Sequence, residues 1–183
     1  GGFIAPSPGG DAVRNPNTLP TGRNLFGINA EATPGVRAWD EGKALAKSTL
    51  DRYYRKHGEY PRKVSYTFWA GEFIETEGAT LAQALYMLGV APVRDGMNRV
   101  TDLRLIPSAE LGRPRIDVVV QTSGQLRDVA ASRLELLTKA VKMVAQSEND
   151  TCGNYVSEGT VESERILLEK GFSPKEAREL STV

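Results

Sequence analysis

The sequence predicts an α/β domain: a mainly parallel, three-layer sheet, preceded by an irregular Pro/Gly-rich arm and followed by a helical tail. Three observations predict it. Two β-rich runs, KVSYTFWA at 63–70 and RIDVVVQT at 115–122, are each followed by a short polar stretch and a helical pattern, which is the rhythm of strands joined by crossover helices. The second run holds three consecutive valines, Val118 to Val120, as a strand buried on both faces requires. The length of 183 residues suits one core, since domains commonly run ~100–150 residues. The expected division is an arm at 1–35, an α/β domain at 36–150 and a helical tail at 151–183.

Residues 1–35 contain seven Gly and five Pro, which punctuate the backbone by allowing positive φ or by fixing φ. From Val36 to His57 the apolar positions Trp39, Ala44, Leu45, Leu50, Tyr53 and Tyr54 recur at close to helical spacing, and Gly58 stops the helix. KVSYTFWA is β-branched and aromatic, bounded by Pro61 and Gly71, and reads as a strand. A loop, GEFIETEG, leads to a helix at 79–90 with Leu81, Ala84, Leu85 and Leu88 on its apolar positions and Gly89 at its C-cap. VAPVRD and VTDLRLIP, separated by GMNR, predict a strand and a second strand or hairpin, with Pro92 confining the first to an edge or a start. After RIDVVVQT and the SGQLRD loop, 129–146 is helical, with Leu134, Leu137, Val141 and Val144 along one face. Two more helices, about 154–170 and 174–181, close the chain, the second opened by Ser173 as N-cap and Pro174 at the first position. This tail has no evident partner within the chain.

Composition excludes several function classes. Basic and acidic side chains balance at 23 each, whereas a nucleic-acid binder shows a basic excess or stripe. One cysteine, Cys152, excludes an internal disulfide, and with a single histidine, His57, a closed zinc site is not expected. No run approaches ~18 apolar residues, so no membrane span is expected, and a reducing, cytoplasmic location fits. The opening GGFIAPSPGGD resembles neither a signal peptide nor a natural start, which suggests a piece of a longer protein. Neither GxxxxGK[ST] nor a helix-opening GxGxxG is present, so no nucleotide loop is expected.

Right-handed crossovers place the stretches after Trp69 and after Thr122 at the carboxyl ends of the strands, where such sheets bind ligands. The first carries Glu72, Glu75 and Glu77. Glu75 and Glu77 suit the positive end of the following helix, which leaves Glu72 as the candidate base or metal-handling carboxylate. The second carries Ser123, whose neighbour Gly124 lets backbone N–H groups approach an anion, Arg127, which can fork onto a carboxylate, and Asp128, equally placed as a helix N-cap. Arg113 and Arg115 precede the strand and are expected at its amino end, as an exposed or domain-contact pair. In the arm, LPTGRN (19–24) is a turn presenting Arg23 and Asn24, and GGDAVRN (9–15) presents Asp11 and Arg14. His57, beside Gly58, suits a helix C-terminus.

Five motifs occur in one order: GGD near the start, LPTGRN, the tryptophan strand, ETEGATLAQALYMLGVAPV and ELGRPRIDVVVQTSGQLRD. Together, over roughly residues 1–156, they closely resemble the large subunit of cobaltochelatase and the related H subunit of magnesium chelatase. The resemblance implies an internal section of a large subunit that binds a tetrapyrrole and hosts metal insertion, while separate AAA+ motor subunits use ATP and Mg. The substrate would be cobalt with hydrogenobyrinic acid a,c-diamide, or magnesium with protoporphyrin IX. WAGEFIETEG, with its Phe73, lies nearer the cobalt type than the IKTYGES pattern of the magnesium type. On the resemblance, Glu72 is the candidate proton acceptor or metal-handling group with Asp128 second, while Arg23, Arg127 and Ser123 are candidates for substrate binding. A non-catalytic section that braces neighbouring domains or docks the motor subunits is the alternative, and the section alone is expected to be inactive.

Overall fold

The computed structural model describes residues 5, 7–9, 12–13, 16, 19–27, 29–148 and 150–181, with the backbone alone at 7, 8 and 24–26. In chain order the elements are β1 (Ser7–Pro8), β2 (Asn24–Phe26), a 3₁₀ turn (Ala30–Ala32), α1 (Val36–His57), β3 (Lys63–Phe68), α2 (Ala70–Thr76), α3 (Ala79–Leu88), β4 (Val90–Arg94), β5 (Val100–Leu105), α4 (Ser108–Leu111), β6 (Asp117–Thr122), α5 (Gly124–Ala145), α6 (Tyr155–Glu169) and α7 (Pro174–Ser181). The architecture is mixed α/β with a parallel pair, β3 and β6, at its centre. β1 and β2 pair parallel within the arm, and β4 and β5 form an antiparallel hairpin. Asp11 and Arg14 and the Asn24 side chain lie outside the described residues.

β3 and β6 run in register from Lys63 opposite Asp117 to Phe68 opposite Thr122. Because side chains alternate across a strand, Val64, Tyr66 and Phe68 turn inward with Val118 and Val120. Lys63 and Asp117 pair on the other face at 2.8 Å. Phe68 and Phe73 are fully buried with Leu81, Leu85, Leu88 and Leu126. Each such side chain contributes roughly 1.5–3 kcal/mol of hydrophobic free energy. α1 packs closely on α3 because Gly42 has no Cβ: one added there would lie 2.6 Å from the Ala79 carbonyl oxygen and from the Ala82 Cβ.

Several expectations differ from what is observed. The WAGEFIETEG loop is mostly helix, α2, ended by Glu77 in the left-handed region at φ 53°. SGQLRD is likewise the first turn of α5, which breaks at Ala130 (φ −141°, ψ 33°) before continuing along the expected 129–146. The valine run is not buried on both faces: Val119 is 48 % exposed, because among the described residues β6 has a strand neighbour on one edge only. The tail does have partners in the chain, since Asn154 and Val156 are buried and Ser173 and Glu176 form a reciprocal capping box at the start of α7.

Arg113 and Arg115, expected as an exposed or domain-contact pair, are 6 % and 2 % exposed and are bonded within the chain. α3 ends at Gly89, which adopts φ 72°, and the last carbonyls of a helix need donors. Arg113 donates to the carbonyls of Tyr86 (2.5 Å), Met87 (3.1 Å) and Pro114 (2.8 Å). Arg115 donates to Leu88 (3.3 Å), Gly89 (2.7 Å) and Ile106 (2.8 Å), and its Nε to Asp150 Oδ1 (2.6 Å). Asp150 Oδ2 accepts from Asn154 Nδ2 at 2.9 Å, and Asn154 Oδ1 caps α6 by accepting from Val156 and Ser157. GRPRID is therefore a buried connector that joins the end of α3 to the start of α6.

Candidate functional site

The parallel pair delivers both of its following helices to one edge. Ser123 donates its backbone N–H to the Phe68 carbonyl at 3.1 Å, so the carboxyl ends of β3 and β6 are tied together with Trp69 beside Ser123. Ser123 caps α5, its hydroxyl accepting from the Leu126 N–H at 3.2 Å. Asp128 therefore does not serve as N-cap; it lies one turn further on, exposed like Arg127. Among the described residues neither makes an ion pair. Trp69, which the sequence did not single out as a site residue, is 62 % exposed. Its signal was present: a large aromatic directly after a strand whose preceding inward residue, Phe68, is fully buried.

Glu72 stands in the first turn of α2 and turns toward the start of α3. Its Oε1 accepts from Thr76 Oγ1 (2.8 Å), Thr80 Oγ1 (2.7 Å) and the Thr80 backbone N–H (3.3 Å). This serves α3, whose N-cap is Gly78 with no side-chain cap. The other oxygen, Oε2, is buried without a hydrogen-bond partner. One oxygen is thus anchored, and the other is enclosed with no hydrogen-bond partner. No hydrogen bond joins Glu72 to Ser123, Arg127 or Asp128 among the described residues. Glu75 is exposed within α2, and the Glu77 carbonyl accepts from the Gly35 N–H at 2.9 Å.

Arg23 donates to the Leu19 carbonyl at 3.4 Å within its own turn, and its Nε is buried without a partner. No hydrogen bond connects it to either strand-end segment among the described residues. The junction between arm and domain is held instead by two arginines the sequence did not single out. Arg94 donates to the Pro34 carbonyl at 2.5 Å, and buried Arg133 to the Thr33 carbonyl at 3.1 Å. Burial holds both guanidinium pKa values below the usual arginine range.

His57 stacks on Tyr53, ring centroids 4.3 Å apart, at the end of α1, and Cys152 is exposed and unbridged. Among the described residues no three His, Cys, Asp or Glu side chains converge to hold a metal ion, and no helix is long and apolar enough to cross a membrane.

The family model described as CobN/Magnesium Chelatase matches residues 1–183. The magnesium-chelatase subunit ChlH of Oryza sativa is 40% identical over 178 residues, which is 97% of this chain and 13% of that protein. The aerobic cobaltochelatase subunit CobN of Sinorhizobium is 36% identical over 183 residues, 99% of this chain and 14% of that protein. Among solved structures, the catalytic subunit of cobaltochelatase from Mycobacterium tuberculosis superposes with a TM-score of 0.81 at 39% identity, over 96% of this chain and 15% of that one. The chain thus spans a small part of the length of the relatives it matches.

Proposed function

The chain belongs to the CobN/magnesium chelatase family, and from that premise we propose that it is a section of the tetrapyrrole-binding large subunit of an ATP-dependent cobaltochelatase. In this proposal the subunit inserts cobalt into hydrogenobyrinic acid a,c-diamide for cobalamin synthesis, and AAA+ motor subunits hydrolyse ATP. The supporting observation is the strand-end edge, where an exposed indole stands beside Ser123 and where Arg127 and Asp128 have no ion-pair partner among the described residues.

The chemistry of insertion assigns the roles. A flat macrocycle can lie on the Trp69 ring. Its peripheral carboxylates suit Arg127, with Ser123 beside it, and Arg23 is a second clamp contributed by the arm. Two pyrrole N–H protons must leave as the cation sheds water, and a carboxylate base can take them one at a time, passing the first to water before it accepts the second. Glu72 is the first candidate, its Oε1 held by the two threonines and its enclosed Oε2 without a hydrogen-bond partner; Asp128 is the second candidate. Cobalt is substrate here, and Glu72 would meet it as one carboxylate among ligands supplied by the macrocycle and water.

Identities of 36% and 40% to the cobalt and magnesium relatives do not separate the metals. The lack of an IKTYGES-like pattern in WAGEFIETEG favours cobalt, although Phe73 itself is fully buried against Phe68 at 5.0 Å and marks packing, not metal contact. The test is absorbance-monitored insertion by the full-length subunit with its motor subunits, offering cobalt with the diamide and magnesium with protoporphyrin IX. ATP-dependent cobalt insertion is expected. Magnesium insertion into protoporphyrin IX would reverse the choice of metal, and no insertion of either would sink the chelatase proposal. Wild-type rates from both Glu72→Ala and Arg127→Ala would leave this section as scaffold.

A further inference from the structure

Among the described residues β6 is an edge strand, without the usual protection of one. Natural edges are blunted by proline, charge or bulges that prevent pairing, and β4 has all three: Pro92, Arg94 and a register shift between Val93 and Arg94. In β6 the only charged residue is Asp117, already paired with Lys63, and Val118 to Thr122 contain neither proline nor charge. The polarity of the pair identifies the open groups. Asp117 and Ser123 donate to the Arg62 and Phe68 carbonyls at 3.1 Å, so the odd-numbered residues of β6 face β3 and Val118, Val120 and Thr122 face away. The Val118 N–H is taken by Asp117 Oδ1 at 2.8 Å. The N–H groups of Val120 and Thr122 have no strand to bond among the described residues.

This edge is the floor of a slot. A cavity of about 340 Å³ lies between Val118–Val120 and the apolar α5 side chains Leu134, Leu137 and Val141. A second, of about 200 Å³, shares Val118, Val119 and Val141 and continues toward Thr160, Ser163 and Ser181 of α6 and α7. A slot with an open strand edge as floor, one apolar wall and one wall that mixes Thr160, Ser163 and Ser181 with Val156 and Leu180 fits an extended segment whose side chains alternate apolar and polar.

We propose that this slot receives a β-strand from elsewhere in the same large subunit, which pairs with Val118–Thr122 and widens the parallel pair. The inference rests on the assignment of the chain to a large subunit, whose solved relative devotes 15% of its length to the matching part; the remainder is ample source for one short strand. A second copy of the chain or a motor subunit would be a different occupant.

The test is residue-resolved hydrogen exchange on the full-length subunit without motor subunits. Val120 and Thr122 are expected to be protected about 100-fold or more over an unstructured peptide, comparably to Val119 and Gln121, which bond to β3. Free exchange at Val120 and Thr122 with protection kept at Val119 and Gln121 overturns the proposal, as does protection that disappears when the subunit is diluted to monomer. A photoreactive label on Val119→Cys identifies the occupant. Cross-links to a segment of the same chain outside these 183 residues are expected, and cross-links confined to α6 and α7, or to another polypeptide, count against it. Neither readout needs catalysis: an open edge with intact chelation sinks only this inference, and a covered edge without chelation sinks only the functional one.

Discussion

The two ends of β6 use the same residue types in opposite ways. Before the strand, Arg113 and Arg115 are buried and donate to carbonyls at the end of α3, to Pro114, to Ile106 and to Asp150; of their nitrogens Arg113 Nε alone has no acceptor. After the strand, Arg127 and Asp128 stand exposed near the start of α5 with no ion-pair partner among the described residues. An arginine fork is therefore not in itself a ligand signal. Its meaning follows from what the chain must satisfy nearby: a helix C-terminus without donors consumes it, whereas a helix N-terminus at the carboxyl edge leaves it available.

The comparison predicts unequal costs of substitution. Arg115→Met should cost the most, about 3–5 kcal/mol, because it removes the ion-pair partner of Asp150, whose side chain is only 7% exposed, and a donor to the buried Leu88, Gly89 and Ile106 carbonyls. Denaturant unfolding checks this, and a loss no larger than that of Arg127→Ala would erase the distinction between the ends. Next comes Tyr66, which faces the same interior. Burial pushes its phenol up to about 12 against an opposing pull from Arg113. The folded state thus holds the proton more tightly than the unfolded chain, so the stability is fully present below pH about 10 and is lost as pH rises toward 12. The loss should reach roughly 2 kcal/mol. Tyr66→Phe should flatten the difference between unfolding curves at pH 9 and 11.5; an unchanged pH slope would contradict it.

The long elements were legible because their signals are local. α1 runs Val36–His57 and ends at Gly58, as its spacing and its glycine predict, and α7 begins at the predicted Pro174. What was not legible depended on partners far along the chain. The burial of Arg113 and Arg115 follows from carbonyls roughly 26 residues away, and the exposure of Val119 goes with a single strand neighbour of β6 among the described residues, which no local run of valines reports. α2 was hidden because AGEFIET is short and its glycine weakens helix propensity. Ser123, Arg127 and Asp128 were placed at the correct edge by chain order alone. The direction of Glu72 toward Thr80 required the turn at Glu77 and Gly78, whose positive φ values fold α3 back on α2.

Ser123 separates structure from binding at the second end. Its hydroxyl caps α5, so Ser123→Ala should cost about 1 kcal/mol and Ser123→Asp, which keeps an acceptor, much less. If the hydroxyl also meets substrate, Ser123→Asp restores stability without restoring insertion; recovery of both would confine Ser123 to its cap.

Arg127→Ala should disturb stability least, within about 0.5 kcal/mol, because nothing in the described chain depends on its guanidinium. Its effect belongs to the tetrapyrrole. A charge-assisted bond to a peripheral carboxylate is worth about 1.5–3 kcal/mol, so KM for the tetrapyrrole should rise about tenfold or more while kcat changes little, and Arg127→Lys should recover part of it by restoring the charge without the fork. Steady-state insertion kinetics at saturating metal and ATP read the two constants separately. A fall in kcat with KM unchanged would move Arg127 from holding the macrocycle to the chemistry of insertion. An unchanged KM and kcat would make the carboxyl end of β6 as purely structural as its amino end.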